Sequence, residues 1–159
     1  MKIAEQLARH FREIHFGENW TWSNLKDTLD TVTWQQAITK IEDLNTIVAL
    51  VYHINYFVQA AIPVFEGGTL DAHDKYSFDL PPINSEADWR KLLDKLWTDA
   101  ATFEKLITDI PDSLLWETFS EEKYGTYYRN IQGIIEHSHY HLGQIVMLKK
   151  LILKQESSK

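Results

Sequence analysis

The sequence predicts an all-α protein, a four-helix bundle with a long middle loop and short extra helices after the first helix. Apolar residues recur every three or four positions through four long segments, which is the spacing of one face of an α-helix. No segment alternates apolar and polar residues in the manner of a half-buried strand. With 159 residues, of which 44% are apolar, the chain is expected to form one domain, residues 1–159, with a core of its own.

The first two long helices are predicted on either side of a region of shorter ones. The first covers about residues 2–14. One or two short helices are expected within residues 17–40, where Thr33 begins a Thr-x-x-Gln capping box. The second long helix covers about residues 43–62, and Pro63 is expected to end or kink it.

The last two helices are separated from the second, and from each other, by long connections. A loop over about residues 67–84 opens with two glycines, and its length is typical of a loop that covers a functional site. The third helix is predicted over about residues 85–110, followed by a loop over residues 112–126. The fourth covers about residues 127–153.

The composition limits the partners and the compartment. A net charge of −7 repels nucleic acid, and the six tryptophans lie at spacings that predict core positions rather than base-stacking platforms. No signal-peptide pattern begins the chain, and four polar residues interrupt the longest apolar segment, residues 44–64, so no membrane span is expected. The absence of cysteine excludes thiolate ligands. It fits the reducing cytoplasm, in which the protein is expected, although many secreted proteins also lack disulfides. A small-molecule substrate is therefore expected in preference to nucleic acid or membrane.

Three histidines form the strongest candidate for a site. His137 and His141 are four residues apart in the last helix, so their side chains share one face. Two imidazoles at this spacing can hold one divalent metal ion if a third ligand comes from elsewhere. His53, in the middle of the second long helix and beside its apolar stripe, is the candidate third ligand. Gln144, one turn beyond His141, is placed to orient an imidazole or a bound water.

Each of these residues also has an ordinary structural role open to it. His53 fits a partly buried histidine bonded to a carbonyl or hydroxyl, and the pair fits a solvated helix face. Gln144 fits an exposed polar position. The other histidines are expected outside the cluster, with His139 pointing away and the rest on the surface: His10, His15 and His73.

Other residues near the motif suggest a pocket. Gly143 lies inside the last helix, where glycine costs about 1 kcal/mol relative to alanine, and it indicates close approach of another helix or of a ligand. Tyr56, Trp97 and Tyr140 are candidate pocket aromatics, although core or surface packing is their commoner role. No residue stands out as a general base.

A mid-helix histidine in the second long helix, followed by H-x-x-x-H-x-G-Q in the last, resembles the DinB-like (DNA-damage-inducible) superfamily of four-helix bundles. The similarity extends to the helix lengths, to the segment 34–37 and to the long middle loop. It implies a divalent metal ion, zinc or nickel, held by His53, His137 and His141. Tyr140 is a departure, since members often carry a further histidine there. The histidine at that position is not a metal ligand in the family, so its replacement by Tyr140 leaves the expected metal site intact. The difference is expected to affect the substrate pocket.

The resemblance also implies an activity. Characterised relatives include metal-dependent transferases that use low-molecular-weight thiols such as bacillithiol or mycothiol, and a related isomerase. A thiolate or water held at the metal would attack an electrophilic substrate, and the thiol would be a cosubstrate because the chain has no cysteine. A homodimer is expected from such bundles. The competing hypothesis is a non-catalytic helical bundle that acts through self-association or partner binding, and the negative charge disfavours a nucleic-acid repair factor.

Overall fold

The computed structural model describes residues 2–158, and these residues form an all-helical fold. Six α-helices follow one another along the chain: α1 (Ile3–Phe16), α2 (Leu25–Asp30), α3 (Trp34–Ile38), α4 (Ile47–Phe65), α5 (Glu86–Asp109) and α6 (Tyr127–Ser157). Three short 3₁₀ helices lie in the two long connections: Asp74–Tyr76, Leu114–Trp116 and Glu122–Tyr124. Within residues 2–158 there is no strand, and an isolated bridge joins Thr118 to Thr126.

Hydroxyl side chains fix where the long helices begin. Thr46, Ser85 and Thr126 each accept a hydrogen bond from the backbone N–H three residues further on, which satisfies an N–H that has no partner inside the helix. The predicted capping box is confirmed, because Thr33 and Gln36 exchange side-chain to backbone hydrogen bonds of 3.1 and 3.2 Å.

Several predicted boundaries were wrong by up to four residues, about one helical turn. α4 begins at Ile47 rather than near residue 43, because Thr46 supplies the cap. Pro63 does not end α4, which continues to Phe65. A proline in the last turn removes one helical hydrogen bond, and the buried Val64 that follows keeps the chain against the core. At the other end of the fold, α6 runs to Ser157 rather than to residue 153.

The four long helices enclose one continuous core to which α2 and α3 also contribute. α1 and α4 both pack on α5, and α6 packs on α4 and α1. Phe11 and Phe103 meet edge to face with ring centroids 5.0 Å apart. Trp89 is fully buried, and its indole N–H donates to the carbonyl of Val32 at 2.9 Å. That bond ties α5 to the region of the short helices.

The prediction of core positions for the six tryptophans was wrong for three of them, Trp20, Trp22 and Trp116, while Trp34 and Trp97 are partly buried against the core. Trp89 is fully buried, whereas Trp20 and Trp22 are 98% and 95% exposed. The latter two lie in a loop between α1 and α2 rather than on a helix, so helical spacing does not apply to them. Asn19 braces this loop by donating to the carbonyls of Glu13 and Ser23.

The prediction that His15 lies on the surface was also wrong, because this residue is fully buried. α1 continues one turn past Phe11 and ends at Phe16, which carries His15 onto the inward face. Its Nδ1–H donates to the carbonyl of Phe11, with Nδ1 and the oxygen 3.0 Å apart. Burial lowers the pKa of His15 to about 4, and the bond to Phe11 opposes this only in part. His10 and His73 are exposed, as predicted.

Among the described residues, one helix is long and apolar enough to cross a membrane by length and composition. This is α4, and half of its most apolar window is buried inside the protein. A core helix passes the same test. α4 also carries Asn55, which is buried and donates to Asp99 of α5 at 2.7 Å.

Candidate metal centre

The packing of α4 against α6 brings the three predicted histidines together. His53 projects from the middle of α4, and His137 and His141 project from adjacent turns of α6. Each of the three offers a ring nitrogen, and these nitrogens all lie within 4.8 Å of one another. No other group of three such side chains meets this condition within residues 2–158.

The distances suit nitrogen ligands of a single ion. Nε2 of His53 and Nε2 of His137 are 3.0 Å apart. Two nitrogens bound to one Zn²⁺ ion, each about 2.0–2.1 Å from it, can be at most about 4.2 Å apart. The closest pair already meets this limit, and no separation in the cluster exceeds it by more than about 0.6 Å.

His141 is oriented by the residue that the sequence singled out for this role. Its Nδ1–H donates to Oε1 of Gln144, with 2.6 Å between the two atoms. A proton on Nδ1 leaves Nε2 with a free lone pair, which is the form of imidazole that binds a metal. By contrast, Nδ1 of His53 and Nδ1 of His137 are buried without a hydrogen-bond partner among the described residues. The fold therefore fixes the tautomer of one ring out of three.

All three imidazoles are held in the neutral form. Burial lowers the pKa of His137 to about 4, and the neighbouring His141 and His53 lower it further because two like charges cannot be held close together. Burial is also the main cause of the lowered pKa of His53, and the neighbouring His141 lowers it further. The pKa of His141 is lowered by burial and raised in part by its bond to Gln144. At neutral pH the cluster presents uncharged donors.

The long middle loop covers one side of the cluster, as its length suggested. Phe78 stacks on His53 with ring centroids 4.1 Å apart and ring planes 10° from parallel. The loop is fastened nearby, where the hydroxyl of Tyr56 donates to the carbonyl of His73 and accepts from the N–H of the same residue. Phe78 was missed from the sequence because a loop residue follows no periodicity.

A groove of about 740 Å³ opens beside His137. Its walls include aromatic and cationic side chains: Phe57, Lys123, Tyr124, Tyr128 and Arg129. Lys123 is paired with Glu121 at 3.1 Å, whereas Arg129 forms no ion pair within residues 2–158. Sequence reasoning did not connect these residues with the histidines, because they belong to the loop before α6 and to its first turns.

Other sequence expectations had mixed outcomes. His139 stays outside the cluster, as predicted, and lies 5.7 Å from the ring of His10. The ring of Tyr140 is 4.9 Å from that of His141, whereas Trp97 packs on Phe16, away from the cluster. For Gly143, the expected close approach of another helix was wrong among the described residues, since a Cβ there would meet nothing within 4 Å. The alternative, close approach of a ligand, stays a prediction.

Comparison with protein-family models, with curated proteins and with solved structures gives no match for this chain. The functional argument therefore depends on the geometry of the site.

Proposed function

We propose that this protein is a divalent-metal-dependent enzyme of the DinB-like kind, with a four-helix bundle formed by α1, α4, α5 and α6. Its ligands would be His53, His137 and His141, with zinc or nickel as the ion and Gln144 as the group that orients His141. The supporting observation is the convergence of three neutral ring nitrogens from two helices. The donor set suits these metals, because imidazole binds zinc and nickel well.

The nucleophile in this proposal is a small-molecule thiol or water. A divalent ion with three protein ligands keeps an open position, where it lowers the pKa of a bound thiol or water. The chain has no cysteine, so a thiol would have to be a cosubstrate. We infer a low-molecular-weight-thiol S-transferase, acting in the reducing cytoplasm where such thiols are abundant.

The groove beside His137 is the candidate substrate-binding site. Its volume of about 740 Å³ falls in the range of small-molecule sites. Aromatic walls favour an apolar or conjugated electrophile. Arg129 offers a positive charge for a carboxylate or phosphate, although the carboxylate of Glu136 lines the same groove. Binding an anionic group at Arg129 would place the rest of the molecule beside His137.

Metal content is the deciding measurement. Tag-free protein, incubated with zinc or nickel and then desalted, is expected to retain close to one ion per chain by elemental analysis. His53→Ala and His141→Ala should each lose it, while His73→Ala, which removes an exposed imidazole outside the cluster, should retain it. Wild-type protein that stays empty after incubation with both metals would refute the metal site and the enzyme with it.

A second assay addresses substrate binding. Loaded protein would be screened with anionic and neutral thiols against electrophilic acceptors. Arg129→Gln is expected to raise KM for an anionic thiol more than for a neutral one, with kcat little changed. An equal effect on both kinds of thiol would remove Arg129 from the binding site.

A non-catalytic role through self-association is the second candidate function. The observation that favours it is an exposed apolar face of α6, where Tyr140 and Met147 are 65% and 57% exposed and line a groove of about 480 Å³.

A further inference from the structure

α6 presents histidines to two of its neighbours. His137 and His141 face α4 and belong to the candidate metal centre. His139, which lies between them in the sequence, faces α1 instead. Its ring meets that of His10, a residue of α1, with ring centroids 5.7 Å apart and ring planes at 57° to each other. His15, also in α1, lies close enough for its charge to interact with that of His139. Three further histidines therefore gather on the α1 side of α6.

Two of these three histidines carry a ring nitrogen without a partner. Nε2 of His139 and Nε2 of His15 are both buried, and neither has a hydrogen-bond partner within residues 2–158. The Nδ1–H of His15 donates to the carbonyl of Phe11, so the lone pair of this ring is on Nε2. A buried nitrogen of this kind loses its hydrogen bonds to water and gains none from the protein. Both atoms are suited to meet a ligand between the two helices.

The separation of His10 and His139 suits two ligands of one ion. An imidazole nitrogen binds zinc at about 2.0–2.1 Å, which puts the centre of the ring about 3.2 Å from the ion. At a tetrahedral angle, the centres of two such rings are about 5.2 Å apart. The observed separation of 5.7 Å is larger by about 0.5 Å. His10 is exposed, so its side chain is free to rotate by this amount.

The charges around this pair do not oppose a cation. His10 lies between two arginines in the sequence, and each of them is paired with a glutamate. Arg9 is 2.7 Å from a carboxylate oxygen of Glu13, and Arg12 is 3.5 Å from one of Glu104. The chain as a whole carries a net charge of −7, which attracts divalent cations.

We propose that His10 and His139 hold a second divalent metal ion between α1 and α6, outside the candidate metal centre. Zinc is the ion we test, because imidazole suits it well. Nε2 of His139 would be one of the ligand atoms. Two protein ligands leave the remaining positions of the ion to water, and one of these waters would donate to Nε2 of His15. An ion at this place joins two helices, so its binding would also stabilise the folded protein.

Equilibrium dialysis against zinc alone tests the proposal in a chain whose first site is disabled. The background is the double variant His53→Ala/His141→Ala, because His137 and His141 share a helix face and could together hold an ion without His53. Between about 1 and 100 μM zinc, a range that suits the weak binding expected of two imidazoles, the double variant should bind close to one ion per chain. An ion held this weakly is lost on desalting, so it does not add to the ion retained by the first site.

Single changes in this background identify the ligands. His10→Ala and His139→Ala should each weaken zinc binding at least tenfold. His73→Ala is the matched control, because it removes an exposed imidazole elsewhere and should leave the dissociation constant unchanged. Zinc at a hundred times its dissociation constant should raise the melting temperature of the double variant by about 5–10 °C, and either ligand change should remove this rise. Circular dichroism without zinc would show that the variants remain helical, and His10→Ala changes an exposed residue that the core does not need.

The outcomes separate this site from the first one. A double variant that binds no zinc in this range, or zinc binding that survives both His10→Ala and His139→Ala, would overturn the proposal. His15→Leu, which removes the acceptor for the bound water, should weaken zinc binding about tenfold, and an unchanged dissociation constant would remove His15 from the site. Because the first site is disabled throughout, failure of this proposal leaves the proposed activity untouched.

Discussion

Replacing His15 with glutamine should make the protein less sensitive to acid. Burial lowers the pKa of His15 to about 4 in the folded protein, against 6.5 for a free imidazole. Between these values the unfolded chain binds more protons than the folded one, so the free energy of unfolding decreases as the pH falls. A single group with this pair of pKa values removes about 2 kcal/mol by pH 5 and about 3 kcal/mol by pH 4.

The assay is urea unfolding at pH steps from 7 to 4.5, for wild type and His15→Gln. The contributions of titrating groups that do not interact with His15 cancel in the difference between the two proteins, and His139 is the neighbour whose charge does interact with it. The difference should change by about 2 kcal/mol between pH 7 and pH 5 in favour of the variant. Phe11→Leu is the control, since Phe11 packs on His15 with ring centroids 4.3 Å apart and does not titrate. It should lower stability by a similar amount at every pH. A His15→Gln difference that stays constant with pH would refute the reasoning.

Three further changes have effects that follow from single contacts. Trp89→Phe should lower the free energy of unfolding, measured by urea unfolding, by about 1–3 kcal/mol. The reason is that the buried carbonyl of Val32 loses the indole N–H that donates to it. An unchanged value would mean that a water molecule replaces this donor. Gly133→Ala should raise the free energy of unfolding by about 0.5–1 kcal/mol, because alanine favours the helix more than glycine does. The new Cβ meets nothing within 4 Å, so no clash opposes the gain. A lower free energy of unfolding would contradict this prediction. Gln144→Ala should weaken zinc binding about 10–100-fold, measured by competition with a chelator. The reason is that His141 loses the hydrogen bond that orients its ring. The melting temperature of the metal-free protein should stay the same. Equal zinc affinity would show that the bond to His141 does not tune the site.

The convergence of the three histidines could be predicted because it follows from helical periodicity. His53 borders the apolar stripe of α4 and the other two border that of α6, so packing the stripes together brings the rings together. Gln144 followed from the same rule, since it lies one turn from His141. Periodicity sets the direction of a side chain relative to a helix axis, and this is enough wherever both neighbours are helices.

The rest of the site and of the fold depends on contacts that periodicity does not encode. Phe78 reaches His53 from a loop, and Arg129 reaches the groove through the way the preceding loop enters α6. Trp20 and Trp22 are exposed because Asn19 braces a loop where a helical pattern had been assumed. These arrangements arise from individual contacts, a ring stack at Phe78 and hydrogen bonds at Asn19, between residues that have no common spacing.

The fastening of the middle loop has a consequence for how quickly molecules reach His53. Phe78 lies flat on that imidazole, and the two hydrogen bonds between Tyr56 and His73 hold the same loop down. A reagent that approaches His53 from this side can react only when the middle loop moves away. Its reaction rate therefore measures how often the loop opens and not the reactivity of the imidazole. Removing the hydroxyl in Tyr56→Phe would make the loop open more often. The rate at which a metal ion enters the histidine cluster would then change without a change in the cluster's affinity for the ion.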